Sequence, residues 1–165
     1  MNDHNAHLPY RPCAGIVLVN REGKVFVGQR LDSTLEAWQM PQGGIDKGEA
    51  PEAAALRELM EETGVTPDKV ALVATAEEEL YYDLPDDLIG KIWGGRYRGQ
   101  RQRWFLYRFL GEDHDIDIRT PHPEFRAWRW AEPQEVPHAI VGFKKALYER
   151  IFEIFADPLS RLPTG

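Results

Sequence analysis

Between residues 42 and 65 the chain passes from a glycine-rich loop, QGGIDKGEA, into a run of strong helix formers, PEAAALRELMEETGV, and this junction constrains the fold most. Pro51 suits a first helical turn and Gly64 a helix end, so a helix is predicted over 51–63. That helix places Glu58, Glu61 and Glu62 at i, i+3 and i+4, on one face. Three anions so close raise one another's pKa and cost stability unless a cation sits among them. Taken alone, E-x-x-E-E is commonly a solvated acidic face. Here three glycines precede it, Gly43, Gly44 and Gly48, which let the backbone approach a metal and turn into the helix. Oxygen-only donors suit hard ions, Mg²⁺ first and Mn²⁺ second, that keep positions open for water and phosphate. The Gly43 carbonyl is a candidate further ligand. Arg57 lies about 100° round the helix from Glu58 and is expected to clamp the loop carboxylate Glu49 rather than the cluster. Glu52 reads as a helix-start charge.

At 165 residues the chain fits one domain, expected over 10–157, with a flexible tail at 1–9 and a second tail at 158–165. Residues 13–20 and 25–29 read as strands of a hairpin joined by the turn 21–24. Further strands are expected at 70–80, 104–110 and 125–130, with a long loop at 81–99. Ile140, Phe143, Leu147, Ile151 and Phe155 recur at helical spacing and predict a closing amphipathic helix. The whole predicts an α/β sandwich, a mixed β-sheet between helices. The single cysteine, Cys13, excludes an intrachain disulfide framework and a cysteine zinc cluster, and fits a reducing cytoplasm. No run approaches the ~18–20 apolar residues of a membrane helix, and the first residues lack a basic, apolar leader pattern, so neither a membrane nor secretion is expected. His114, His122 and His138 lack metal-ligand spacing and read as surface residues.

A net charge of −7 argues against nonspecific wrapping of nucleic acid, a DNA duplex included. The charge is unevenly spread. Residues 91–103, KIWGGRYRGQRQR, carry five cations and no acid, so that segment is +5 and the remainder −12. With Trp93, Tyr97 and Trp104 among or beside them, these arginines are either a solvated charged loop or a strip that pairs with phosphates and stacks on single-stranded bases, Arg101 and Arg103 included.

Residues 43–65 match the Nudix box, G-x5-E-x7-R-E-U-x-E-E-x-G-U with U aliphatic, at Gly43, Glu49, Arg57, Glu58, Leu59, Glu61, Glu62, Gly64 and Val65. The chain therefore resembles the Nudix hydrolases, and the resemblance implies their α/β/α sandwich, Mg²⁺ dependence and cleavage of nucleoside diphosphates linked to another group. A narrower likeness, to bacterial RNA pyrophosphohydrolases and the asymmetric diadenosine tetraphosphate hydrolases grouped with them, rests on YRPCAGIVLVN, WQMPQGGI, QRWFLYRF, PEFRAWRW and VGFKKALY. It implies conversion of 5′-tri- or diphosphate RNA ends to 5′-monophosphate, with dinucleoside polyphosphate hydrolysis or nucleotide binding without cleavage as alternatives. It also implies more than one bound ion, Glu124 as an acid near the metals, Arg11 and Lys144 on phosphates, and Phe143 with Arg30 on the first base. Read from the residues alone, Phe143 equally fits core packing, Arg30 a strand-end charge, and Lys144 with Lys145 a solvent-facing pair. No protein partner is implied.

Overall fold

The computed structural model describes residues 7–31, 37–140 and 142–163. Within them the chain runs β1 (Tyr10–Val19), β2 (Val25–Arg30), β3 (Trp38–Gln39), β4 (Gln42–Gly44), α1 (Pro51–Thr63), β5 (Val70–Thr75), β6 (Leu80–Asp83), β7 (Gly99–Phe109), β8 (Phe125–Ala131), α2 (Val136–Ala139) and α3 (Lys145–Arg161). The sheet is mixed, as expected. Its path is β3-β2-β1-β7-β5, with β4 paired to β1, β6 to β7 and β8 to β2. Only β1 and β7 run parallel, in register from Tyr10 with Gly99 to Val19 with Arg108; the other pairs are antiparallel.

Two apolar layers follow from the period-2 alternation of the central strands. Ala14, Ile16 and Leu18 of β1 and Phe105, Tyr107 and Phe109 of β7 pack with Ala54, Ala55 and Leu59 of α1. Val17, Val19, Trp104 and Leu106 pack with Leu147, Tyr148, Ile151 and Phe155 of α3. Each helix thus covers one face. α1 starts on Pro51 with no side-chain cap and ends at Gly64, whose φ of 75° is left-handed and whose N–H donates to the Met60 carbonyl. Glu52 does more than bias the first turn, because it accepts a bond from the Tyr107 hydroxyl at 2.7 Å and ties α1 to the sheet.

Four expectations need correction. The β1–β2 hairpin forms around the Asn20 turn, but its ladder is reduced to Val19 with Val25, because β1 gives its edges to β7 and β4. The strand expected at 70–80 breaks after Thr75, and the acidic end leads into β6, which pairs with a different stretch of β7. Residues 99–103 are strand rather than loop, since β7 extends to Gly99. The closing helix begins at Lys145, after a single 3-10 turn at Gly142–Lys144, and continues to Arg161 past the tail boundary expected at 158. Pro158 lies inside this helix near its C-terminal end, where it has no N–H to donate to the preceding turn.

A Cβ at Gly15 would fall 2.6 Å from the Trp104 ring, opposite which Gly15 pairs. Gly15→Ala should therefore destabilise the fold by about 1–3 kcal/mol, read as a lower midpoint of chemical unfolding; an unchanged midpoint would show that the β1–β7 contact is looser than described.

Candidate active site

The parallel pairing of β1 with β7 sets the site, because it brings the starts of both strands to one end of the sheet. Arg11 stands opposite Gln100 there, and β4 adds Gly44 opposite Cys13 and Gly43 opposite Ala14. Both glycines are needed for close approach. A Cβ on Gly43 would lie 2.1 Å from the Glu58 carboxyl carbon, and one on Gly44 2.7 Å from Arg11 Nη2. A cleft of about 610 Å³ opens at this end, lined by the cations Arg11, Arg30 and Lys144, by Gly43, and by Glu58, Glu61, Glu62 and Glu124. Eight residues from six separate stretches of sequence meet in one concavity.

Arg57 organises the acidic side. Its Nε and Nη2 grip both oxygens of Glu49 at 2.8 and 2.9 Å, and Nη2 also donates to the Gly44 carbonyl at 2.8 Å. The expected clamp on Glu49 is present, but the expected separation from the cluster is not. Nη1 donates to Glu58 at 3.0 Å and to both Glu61 oxygens at 3.3 Å, because the side chain is long enough to span the 100° between neighbouring helix positions. The Arg57 bonds, helped by the Asp46 N–H, hold the Glu49 carboxyl down at about 2. Burial works the other way on the helix. It raises Glu58, against the pull of Arg57, and raises Glu62 well above the ordinary value, with the Glu58 and Glu124 charges adding to it. Glu124 pairs with Arg30 at 3.4 Å.

Three predicted substrate contacts are placed differently. Arg101 and Arg103 do not line the cleft, since alternation along β7 sends Gln100 to the cleft face and these arginines to the other. Arg101 pairs with Glu79 at 3.4 Å, Arg98 with Asp83 at 3.0 Å, and the Arg98 and Arg96 guanidiniums lie over Tyr10 and Tyr97. Arg96, Arg98 and Arg101 of the basic segment are therefore tied to neighbouring side chains. Arg30 points its guanidinium at Glu124, and the Phe143 side chain lies outside the described residues. In turn, the cleft lining includes Gln42, Tyr82 and Gln100, which sequence reading passed over, and Trp93, which it placed only among the aromatics of the basic segment. A signal for Gln100 was present in the alternation of GQRQRW. The Trp104 indole N–H donates to Gln102 at 2.7 Å and the Gln102 amide N–H to Gln100 at 2.6 Å, so an anchored chain of bonds fixes the Gln100 amide.

Residues 9–151 match the NUDIX domain. The chain belongs to the Nudix family. Relatives of this Nudix chain include the RNA pyrophosphohydrolase of Sphingopyxis alaskensis, 64% identical over 155 residues, with 94% of this chain and 98% of that protein covered. The RNA pyrophosphohydrolase of Novosphingobium aromaticivorans is 57% identical over 159 residues, covering 95% and 99%. Among solved structures, a C. elegans Ap4A hydrolase superposes with a TM-score of 0.65 at 21% identity, covering 88% of this chain and 98% of that one. The E. coli dihydroneopterin triphosphate pyrophosphohydrolase superposes at 0.69 with 19% identity, covering 87% and 97%. These last two likenesses show the shared Nudix fold.

Nudix hydrolases use divalent metal ions, and the donor set here fits one. Among the described residues no three His, Cys, Asp or Glu side chains converge on a single point, and Arg57 pairs with Glu58 and Glu61. Glu62 is the telling member. It is 4% exposed, and its Oε2 is buried with no hydrogen-bond partner among the described residues. An orphaned carboxylate oxygen among other acidic donors is what a hard cation satisfies and an apolar wall does not.

Because the folded state raises the Glu62 pKa, it binds the proton more tightly than the unfolded chain, and stability falls as pH climbs above the ordinary value of 4.5. In chelator, Glu62→Gln should melt a few degrees above the wild type at pH 8 and lose that advantage towards pH 4.5, and Mg²⁺ or Mn²⁺ should stabilise the wild type more than the variant. Equal melting at both pH values would contradict the buried, unpaired carboxylate.

Proposed function

We propose that the chain is a metal-dependent RNA 5′ pyrophosphohydrolase that converts 5′-tri- or diphosphorylated RNA ends to 5′-monophosphate. The observation that carries the reading is the single cleft in which Arg11, Arg30 and Lys144 accompany the carboxylates of the Nudix helix. A polyphosphate needs cations for its oxygens, and water needs an acceptor for its proton; both sets of groups are present together. The RNA in the reading is supported by the names of relatives at 57–64% identity that this chain covers almost end to end.

Glu58, Glu61, Glu62 and Glu124, with the Gly43 carbonyl, would hold divalent ions, Mg²⁺ or Mn²⁺ and more than one. Bound there, such ions neutralise charge on the phosphates and lower the pKa of water. Arg11 and Lys144 hold the terminal phosphates in line. Arg57 and Glu49 fix the loop, so that the Gly43 carbonyl and the Glu58 carboxylate keep their spacing. A carboxylate oxygen takes the proton of the attacking water. Water adds to phosphorus as the anhydride bond breaks, which releases pyrophosphate from a triphosphate end or phosphate from a diphosphate end. The free, buried Cys13 thiol, raised to about 11 by burial, suits a cytoplasmic protein.

The test is a matched turnover comparison with Mg²⁺ between a short 5′-triphosphorylated RNA, its 5′-diphosphorylated counterpart and diadenosine tetraphosphate. Higher kcat/KM on the RNA ends is expected, and a much higher value on the dinucleotide would replace this reading with dinucleoside polyphosphate hydrolysis. Glu61→Gln and Glu62→Gln should each lower turnover by at least ~100-fold with the fold intact. Near-normal rates in both variants would remove the box carboxylates from the chemistry.

A further inference from the structure

Trp93 is the one described non-glycine residue with a left-handed backbone, at φ 53°. Bulky side chains avoid that region, and the turn that enforces it is built from Gly90, Gly94 and Gly95, all at positive φ. The cost is met at a place that faces the cleft: Ile92 and Trp93 line it, and both also pack against the apolar core on the α3 side. The indole packs against Tyr97 in a T-shaped contact, with ring centroids 6.3 Å apart. Its open face carries Arg11, whose guanidinium carbon lies 5.6 Å from the ring centroid. Arg11 is confined on another side by the Gly44 backbone and donates only a weak bond to the Cys13 sulfur at 3.5 Å. Among the described residues no carboxylate forms an ion pair with it. This arginine is therefore oriented by an aromatic face instead of by an acid, and its N–H groups are not spent on a counter-charge.

We infer that Trp93 is a positioning residue for Arg11, setting the plane of the guanidinium so that its donors meet a phosphate of the substrate. An acidic partner would hold Arg11 equally well but would repel a polyphosphate and occupy the donors; an indole does neither. The inference rests on the reading of Arg11 as a phosphate contact.

The experiment is a double-mutant cycle by steady-state kinetics on the full chain, with both 5′-triphosphorylated RNA and diadenosine tetraphosphate as substrates. Trp93→Leu fills apolar space at the same backbone angle but offers no ring face; Trp93→Phe keeps one. Trp93→Leu should lower kcat/KM about tenfold, mainly through a higher KM, and Trp93→Phe should stay within about threefold of the wild type. In an Arg11→Ala background Trp93→Leu should cost less than about twofold, because the group it positions is gone. Equal costs in the two backgrounds, or a Phe variant as impaired as the Leu variant, would overturn the proposal. So would wild-type efficiency of Arg11→Ala on both substrates, whereas the preference of the wild type between the substrates tests the proposed function separately.

Discussion

Arg57 satisfies a demand that the rest of the site creates. The helix places Glu58, Glu61 and Glu62 together at its exposed and buried margins, and like charges at that spacing in a partly dry environment destabilise the fold. A single guanidinium answers two of the three, with Nη1 reaching Glu58 and Glu61, while its other two nitrogens lock Glu49 and the Gly44 carbonyl. The loop that approaches the cleft and the carboxylates that face it are thereby held in one rigid frame. Glu62 is the remainder. It makes no bond to Arg57, and one of its carboxylate oxygens is buried with no hydrogen-bond partner among the described residues.

The sheet topology makes this frame useful. With β1 and β7 parallel, Arg11 and Gln100 emerge side by side at the strand starts, next to the two glycines of β4. Helix α1 brings acid to that end, and the turn before α3 brings Lys144. A net acidic protein can thus receive a polyanion without a broad basic surface. The charge that matters is local: Glu58, Glu61, Glu62 and Glu124 line the same cleft as Arg11, Arg30 and Lys144.

The Nudix helix, the two-layer core and the acidic side of the cleft were legible because each rests on a local rule. Capping glycine and proline bounded α1, and i, i+3, i+4 spacing grouped its carboxylates. Glu124, Lys144, Arg11 and Arg30 came only through the family resemblance, since nothing near any of them in sequence reveals which end of the sheet it reaches. The geometry of the basic segment was not legible because composition does not show alternation being enforced: once β7 extends to Gly99, Gln100 and Arg101 must face opposite ways, and acids from β6 and its approach are within reach of the arginines. Trp93 was noticed as an aromatic among cations, but its role depends on a left-handed turn and on a strand brought alongside from the start of the chain.

The dependence of the site on a cation is open to direct measurement by titrating the protein with Mn²⁺ and following the free ion by electron paramagnetic resonance. If Glu62 and its neighbours form the ion site, the wild type removes Mn²⁺ from solution, Mg²⁺ competes it back, and Glu62→Gln weakens binding by about tenfold or more. Binding of equal strength in wild type and variant, or no uptake by the wild type, would contradict a metal-holding role for the buried carboxylate.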